Sequence, residues 1–294
     1  MVDSPRTRVT VSAGDKFVLD ADSELHETIQ TTIEKWKNKF AFLSGERGGD
    51  DVPVRIKVDA APRHRGLGSG TQLAFAIATA LQIWFDQPIP SSEDLALRLG
   101  RGKRSAIGSY GFHQGGFLID RGIADEPMAP LDMRTDFPEE WKIALIQPLE
   151  PDTNQIFGDA ELNAFRELAC TSQLQADRLA SMLKNDILPS VINRDFETFA
   201  QSLTEYGCQS GLYFSEVVGG AYASAAATAI VDRVRDLGRF AVGQSSWGPT
   251  IFAIGPSEKE VNWLVEKLGN GVEDIACQIE VVSADNRGMK VDRV

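Results

Sequence analysis

The residues of this chain best suited to chemistry fall in three glycine-rich stretches. Arg65-Gly66-Leu67-Gly68-Ser69-Gly70-Thr71-Gln72 packs three glycines into five residues and sets Ser69 and Thr71 among them. Glycines let the backbone turn sharply and approach a ligand with no Cβ in the way. Free amides at a helix start, with the positive end of its dipole, then favour a bound phosphate. The hydroxyls of Ser69 and Thr71 can donate to phosphate oxygens or ligate a cation. A plain tight turn also uses glycine, but seldom so many beside two hydroxyls. The second stretch, Gly100 to Phe117, holds Arg101, Lys103 and Arg104 among glycines, which suits a loop folded around an anion, with Ser105 and Gln114 as further polar candidates. His113, one of three histidines, is a candidate acid/base group or anion contact. In the third, Gly243-Gln244-Ser245-Ser246-Trp247-Gly248-Pro249-Thr250, the hydroxyls of Ser245 and Ser246 and the Gly248 amide can donate to an oxyanion, and Trp247 offers a flat face for an aromatic ring. His64, two residues before Gly66, is placed to touch a phosphate, whereas His26 carries no functional signal.

Elements must position these stretches. Val52, Val54, Ile56 and Val58 alternate with polar residues, the pattern of a half-buried strand ahead of the first stretch. Leu73 to Phe85 is Ala/Leu/Ile-rich with no breaker until Pro88, a helix buried on most faces. Arg8–Ser12, Lys16–Leu19, Phe117–Asp120, Trp141–Pro148, Phe240–Gly243, Thr250–Ile254 and Gln278–Val282 read as strands. Asp20–Phe40, Leu95–Leu99, Phe157–Leu188, Phe196–Tyr206 and Glu258–Leu268 read as helices. Asn38–Asp51 reads as a loop and the Pro-rich, polar span Asp125–Glu140 as a linker, which predicts two units, 1–138 and 139–294. Strands and helices mix in both halves without βαβ regularity, so the fold class expected is α+β with two lobes.

Composition bounds the function. A formal net charge of −12 argues against a nucleic-acid or anionic-membrane surface, while leaving room for a locally basic pocket. Cys170, Cys208 and Cys277 are widely spaced with no C-x-x-C pair, which predicts buried free thiols rather than disulfides or a zinc site. There is no apolar run of 18 residues and Met1-Val2-Asp3-Ser4-Pro5 does not read as a signal peptide, so a reduced cytoplasmic protein is expected.

The first stretch lacks the lysine of a P-loop and the G-x-G-x-x-G spacing of dinucleotide folds. With Pro62 it reads P-x-x-x-G-L-G-S-G, which resembles the second signature of the GHMP small-molecule kinase superfamily, P-x-x-x-G-L-G-S-S-x-A; Gly70 stands where the second serine is usual. The form Gly-Leu-Gly-Ser-Gly-Thr-Gln-Leu-Ala is similar to that of a non-kinase branch, the β-ribofuranosylaminobenzene 5′-phosphate synthases. That family also carries G-R-G-x-R-S-x-I-G-x-x-G-F-x-x-G-G-F, matched from Gly100 to Phe117, and G-Q-S-S-W-G-P, matched from Gly243 to Pro249. Ser283-Ala284-Asp285-Asn286-Arg287-Gly288 resembles its C-terminal segment. Where the kinases carry a catalytic aspartate, this chain has Ser109, which has no carboxylate to take a hydroxyl proton. Members of the family usually begin some tens of residues earlier, and Met1–Arg6 reads as an internal point of their pattern.

The resemblance implies a two-lobed GHMP-kinase-like fold, an N-terminal phosphate-loop domain followed by a ferredoxin-like α+β domain. It implies transfer of a phosphoribosyl group from phosphoribosyl pyrophosphate to 4-aminobenzoate or 4-hydroxybenzoate, with loss of pyrophosphate and carbon dioxide, in tetrahydromethanopterin biosynthesis. Arg104 and His113 are then the catalytic candidates. Substrate contacts are expected from Gly66, Leu67, Gly68, Ser69, Gly70, Thr71, Arg101, Lys103, Ser105, Gln114, Ser245, Ser246, Trp247 and Gly248. Mg²⁺ as cofactor and a homodimer are expected with them; the metal's ligands stay open. Ser69, Arg104, Gln114, Ser246 and Trp247 are expected to share one cleft between the lobes. Two other readings stand beside this one, an ATP-dependent kinase of the same superfamily and a non-catalytic phosphate-binding relative.

Overall fold

The computed structural model describes residues 1–40, 53–63, 65–103, 105–122, 126–149, 173–213, 215, 219–246, 248–269 and 271–293. In the first lobe, β1 (Arg8–Ala13) pairs antiparallel with β3 (Val54–Asp59), whose other edge takes β2 (Val18–Asp20) in parallel. Helix α1 (His26–Phe40) enters through a 3₁₀ turn, Ser23–Leu25. Helix α2 (Ser69–Trp84) follows β3. Ile29, Ile33 and Trp36 of α1, Val54, Ile56 and Val58 of β3, and Leu73, Phe75 and Ile77 of α2 form one core. The strand alternation and the helical spacing read in the sequence are thus the inward faces of one packed layer pair. Helices α3 (Ser92–Leu99) and α4 (Ile107–Gln114) close this lobe, and the hairpin β4 (Phe117–Asp120) with β5 (Leu131–Thr135) lies beyond it.

The second lobe is built on a five-stranded antiparallel sheet in the order β7-β8-β6-β10-β9, from β6 (Lys142–Pro148), β7 (Ala241–Gln244), β8 (Ile251–Gly255), β9 (Gly271–Val272) and β10 (Ile275–Ser283). Both faces are covered. Ala144 and Ile146 of β6 face α8 (Ala225–Leu237) and α9 (Glu258–Leu268), through Ile230, Val234, Val261 and Leu264. Ile143 and Leu145 face the other way, onto Trp141, Phe137 and Phe199, with Trp141 and Phe199 ring centroids 4.7 Å apart. That face is covered by a π-helical turn (Leu183–Ile187), α6 (Leu188–Asn193) and α7 (Phe196–Leu212), and α5 (Gln173–Met182) packs on that turn and on α7. Leu67, from the glycine loop of the first lobe, and Phe117 pack against this cluster and join the lobes.

Three expectations change. The span expected as a linker holds β5, with Met128, Ala129 and Phe137 buried, because its prolines flank a short strand that pairs with β4. Ile107–Gln114 is a helix rather than part of an open loop. Tyr110 and Phe112 are buried in the first core, and that burial outweighs the cost, about 1 kcal/mol each, of Gly108 and Gly111 in a helix interior. Cys277 is buried as expected, but Cys208 is only half-buried, and both are free thiols. Helix α8 had no counterpart in the sequence reading. Residues 157–172, Cys170 among them, and most of Asn38–Asp51 lie outside the described residues.

Candidate functional site

Helix α2 begins without a side-chain cap. Gly68, its N-cap, is in the left-handed region at φ +68° and its carbonyl accepts from Thr71 N (3.0 Å) and Gln72 N (3.3 Å). The amides of Ser69 and Gly70 open the helix with no capping oxygen supplied by the N-cap, the arrangement that suits an anion. Ser69 is buried beneath the turn, and Gly70 and Thr71 are half-buried. Arg101 stands beside this start: a Cβ at Gly70 would lie 3.7 Å from its Nη1.

The third stretch roofs the same loop from the second lobe. Ser245 Oγ donates to the Gly66 carbonyl at 2.8 Å. Gly66 has φ +76°, and a Cβ there would collide with the Ser245 carbonyl oxygen, so glycine is required on both counts. Gln244 fixes the turn that follows β7: Nε2 donates to the Ser246 carbonyl at 3.0 Å, and Oε1 accepts from Ala223 N at 2.8 Å. Ser246 is exposed and Gly248 buried. The first and third stretches are thus brought together, and Arg101 of the second joins them.

The rest of the second stretch is arranged differently. Gln72 Nε2 donates to the Gly108 carbonyl at 2.7 Å, which sets the start of α4 against the start of α2. Ser105 does not present its hydroxyl as a free donor: Oγ lies 3.4 Å from Asp120 Oδ2 and accepts from Ile107 N at 3.3 Å. Lys103 is exposed. Gln114 ends α4, and its carbonyl accepts from Arg134 at 3.1 Å. His113 Nδ1 lies 2.8 Å from Ser92 Oγ at the start of α3, and Nε2 is buried with no partner at hydrogen-bond geometry. Burial lowers the His113 pKa, opposed by the charge of Glu93 and the Pro90 carbonyl. Nδ1 is therefore engaged by α3, while Nε2 is left without a hydrogen-bond partner. Arg104, Trp247 and His64 lie outside the described residues.

Ser109 is fully buried and its hydroxyl has no hydrogen-bond partner, so no carboxylate and no solvent-facing group stands at the position matched to the kinase aspartate. Among the described residues, no three His, Cys, Asp or Glu side chains cluster as a metal site. Two residues were missed in the sequence. Asp120 gathers two hydrogen bonds at the start of α4 and one from Gly122 N in its own turn, and its signal was its place as the first carboxylate after Asp94, at the end of a strand-like run. Gln244 was visible only as a polar residue inside the third stretch.

Comparison with known proteins agrees with this arrangement. The family described as GHMP kinases N terminal domain matches residues 27–112, and GHMP kinases C terminal matches 187–274. The β-ribofuranosylphenol 5′-phosphate synthase of Methanothermobacter thermautotrophicus is 30% identical over 292 residues, covering 94% of this chain and 83% of that protein. The chain belongs to this synthase family of the GHMP fold. The synthase of the same name from Archaeoglobus fulgidus is 27% identical over 99% of this chain and 90% of its own length. Among solved structures, a homoserine kinase from Cytophaga hutchinsonii aligns with TM-score 0.69 at 16% identity, over 98% of this chain and 89% of that one. A mevalonate pyrophosphate decarboxylase from Streptococcus pyogenes aligns with TM-score 0.64 at 17% identity, over 98% and 87%. These two share the two-lobed α+β fold with the synthase-family chain.

Proposed function

We propose that the chain condenses phosphoribosyl pyrophosphate with 4-hydroxybenzoate, releasing pyrophosphate and carbon dioxide, as a step of tetrahydromethanopterin biosynthesis. The observation that carries this is the uncapped start of α2, flanked by Arg101 and roofed by the Ser245–Gly248 turn. The relatives are named for a ribofuranosylphenol product, which favours an acceptor whose ring bears a hydroxyl; 4-aminobenzoate is the other candidate.

In the reaction the bond from C1′ to the pyrophosphate oxygen breaks with its electron pair leaving on pyrophosphate. The ring carbon para to the hydroxyl forms the new bond to C1′. The carboxylate then departs as carbon dioxide, and the pair from that bond restores the aromatic ring. Negative charge grows on the leaving group, so donors fixed in advance contribute most. On this reading the Ser69 and Gly70 amides and the Arg101 guanidinium receive it. The step needs no strong base, which fits Ser109 in place of a carboxylate. Mg²⁺ favours departure of pyrophosphate by neutralising its charge. The ion is expected to enter on the substrate's phosphates, as Mg²⁺ commonly does. A homodimer and a cytoplasmic location belong to the same proposal and rest on the family resemblance.

The test is release of pyrophosphate and carbon dioxide from phosphoribosyl pyrophosphate with each benzoate, with and without Mg²⁺. Release of both products with 4-hydroxybenzoate supports the reading, and release with 4-aminobenzoate alone keeps the reaction but changes the acceptor. ATP-dependent phosphorylation of an alcohol, with no carbon dioxide from either benzoate, would replace it with a kinase.

A further inference from the structure

The basic stretch is tied down at both ends. At its entry, Arg101 N donates to the Ala96 carbonyl of α3 at 2.7 Å. At its exit stands Asp120, half-buried at the end of β4. Its Oδ2 accepts from Ala106 N at 3.0 Å and lies 3.4 Å from Ser105 Oγ, and its Oδ1 accepts from Gly122 N at 3.0 Å. Hydrogen bonds to an ionised carboxylate are among the stronger ones, and a negative charge at the start of α4 is favoured by the helix dipole. The two anchors, at Arg101 and at Ser105–Ala106, are four residues apart in sequence.

We propose that Asp120 is the positioning residue of this stretch, the carboxylate that sets where Arg101 and Lys103 stand relative to the glycine loop at the start of α2. The inference rests on the reading of that start as a pyrophosphate site. A bare carboxylate near an anion site repels the ligand, so on this reading its hydrogen bonds to the Ser105–Ala106 end of the stretch outweigh that repulsion. Burial, and after it the charge of Asp120, raises the pKa of Tyr206 on α7, so the anchor's charge is felt in the second lobe.

The opposing signs give the test. Asp120→Asn removes the charge and turns an NH₂ toward one of the backbone N–H donors. If Asp120 acted only through space, the variant would bind inorganic pyrophosphate more tightly. As a positioning residue, its loss weakens pyrophosphate by tenfold or more, while 4-hydroxybenzoate affinity stays within twofold and Tm within a few degrees. Calorimetric titration of each ligand into the full chain, once with Mg²⁺ and once in EDTA, reads both. Tighter or unchanged pyrophosphate binding, or equal weakening of both ligands, overturns the inference. Should Asp120→Asn fail to fold, Ser105→Ala decides, with pyrophosphate two- to threefold weaker expected and no change fatal. A wild-type chain that binds no pyrophosphate removes the site reading itself, an outcome distinct from wild-type binding that the variants leave untouched.

Discussion

The starts of α2 and α4 touch, through Gln72 and the Gly108 carbonyl, yet they are finished in opposite ways. At α2 the N-cap is Gly68, with no side chain to offer an acceptor. At α4 the carboxylate of Asp120 and the hydroxyl of Ser105 take the first amides. Both segments are rich in glycine and serine, so composition does not separate them. The carboxylate does. A helix start closed by an acid repels anions and becomes an anchor, while one left open by glycine keeps its amides for a ligand. On the function proposed above, the difference puts the ligand at α2 and leaves α4 as its support.

Gly66→Ala strikes this comparison hardest. The left-handed φ costs an alanine roughly 1–2 kcal/mol. The new Cβ would also meet the Ser245 carbonyl, a backbone atom that yields only if the turn from the second lobe moves away. A shift of about 1 Å at reacting groups can cost on the order of 100-fold. We expect kcat/KM to fall by about that factor or more, with a lower Tm. Wild-type kinetics would show that the roof over the α2 start is irrelevant to activity.

Arg101→Ala comes next. It removes a charge-assisted contact worth about 1.5–3 kcal/mol, which is roughly 10- to 150-fold in kcat/KM for phosphoribosyl pyrophosphate. Arg101→Lys should recover only part, because an ammonium lacks the fork that matches phosphate oxygens. An unchanged KM and kcat in Arg101→Ala would move the ligand away from Gly70. Ser245→Ala is milder. Its hydroxyl donates one hydrogen bond to the Gly66 carbonyl, worth about 1 kcal/mol, so about a fivefold loss in kcat/KM is expected.

The sequence reading succeeded where a local pattern and the packing agreed. Alternation in Val54–Val58 and the apolar run after Leu73 placed β3 and α2 close to where they lie, because each periodicity is the face that the first core buries. The G-L-G-S-G spacing located the open helix start for the same reason: only glycine serves at Gly66. The reading failed where tertiary contacts overrule local preference. Gly108 and Gly111 speak against a helix, and only the burial of Tyr110 and Phe112 shows why one forms. Prolines around Leu131–Thr135 masked a strand whose partner is β4. In α8, Ile230, Val231 and Val234 carry helical spacing behind the N-cap Ser224, a signal that was present and overlooked. Asp120 was hidden because its partners, Ser105 and Ala106, lie some 14 residues away and meet it only through the turn between α4 and β4.

The smallest effect tests the far end of α4, where His113 stands opposite the helix start that Asp120 closes. Its ring is held by Ser92 and half-buried, and burial depresses its pKa below the usual 6.5. The sign follows from linkage. As pH falls through about 6.5, the unfolded chain takes up a proton that the folded ring still refuses, so the unfolded state gains protons first and folding stability declines. Above that pH both states are neutral and the group has no effect. His113→Gln, which can keep a hydrogen bond to Ser92, should therefore lessen the drop in Tm between pH 7.5 and 5.5 while leaving Tm at pH 7.5 little changed. Because Nδ1 of the ring is engaged with α3, the same substitution should leave the shape of the kcat/KM profile intact. Loss of a limb from that profile would place His113 in the chemistry after all, and both ends of α4 would then serve the reaction.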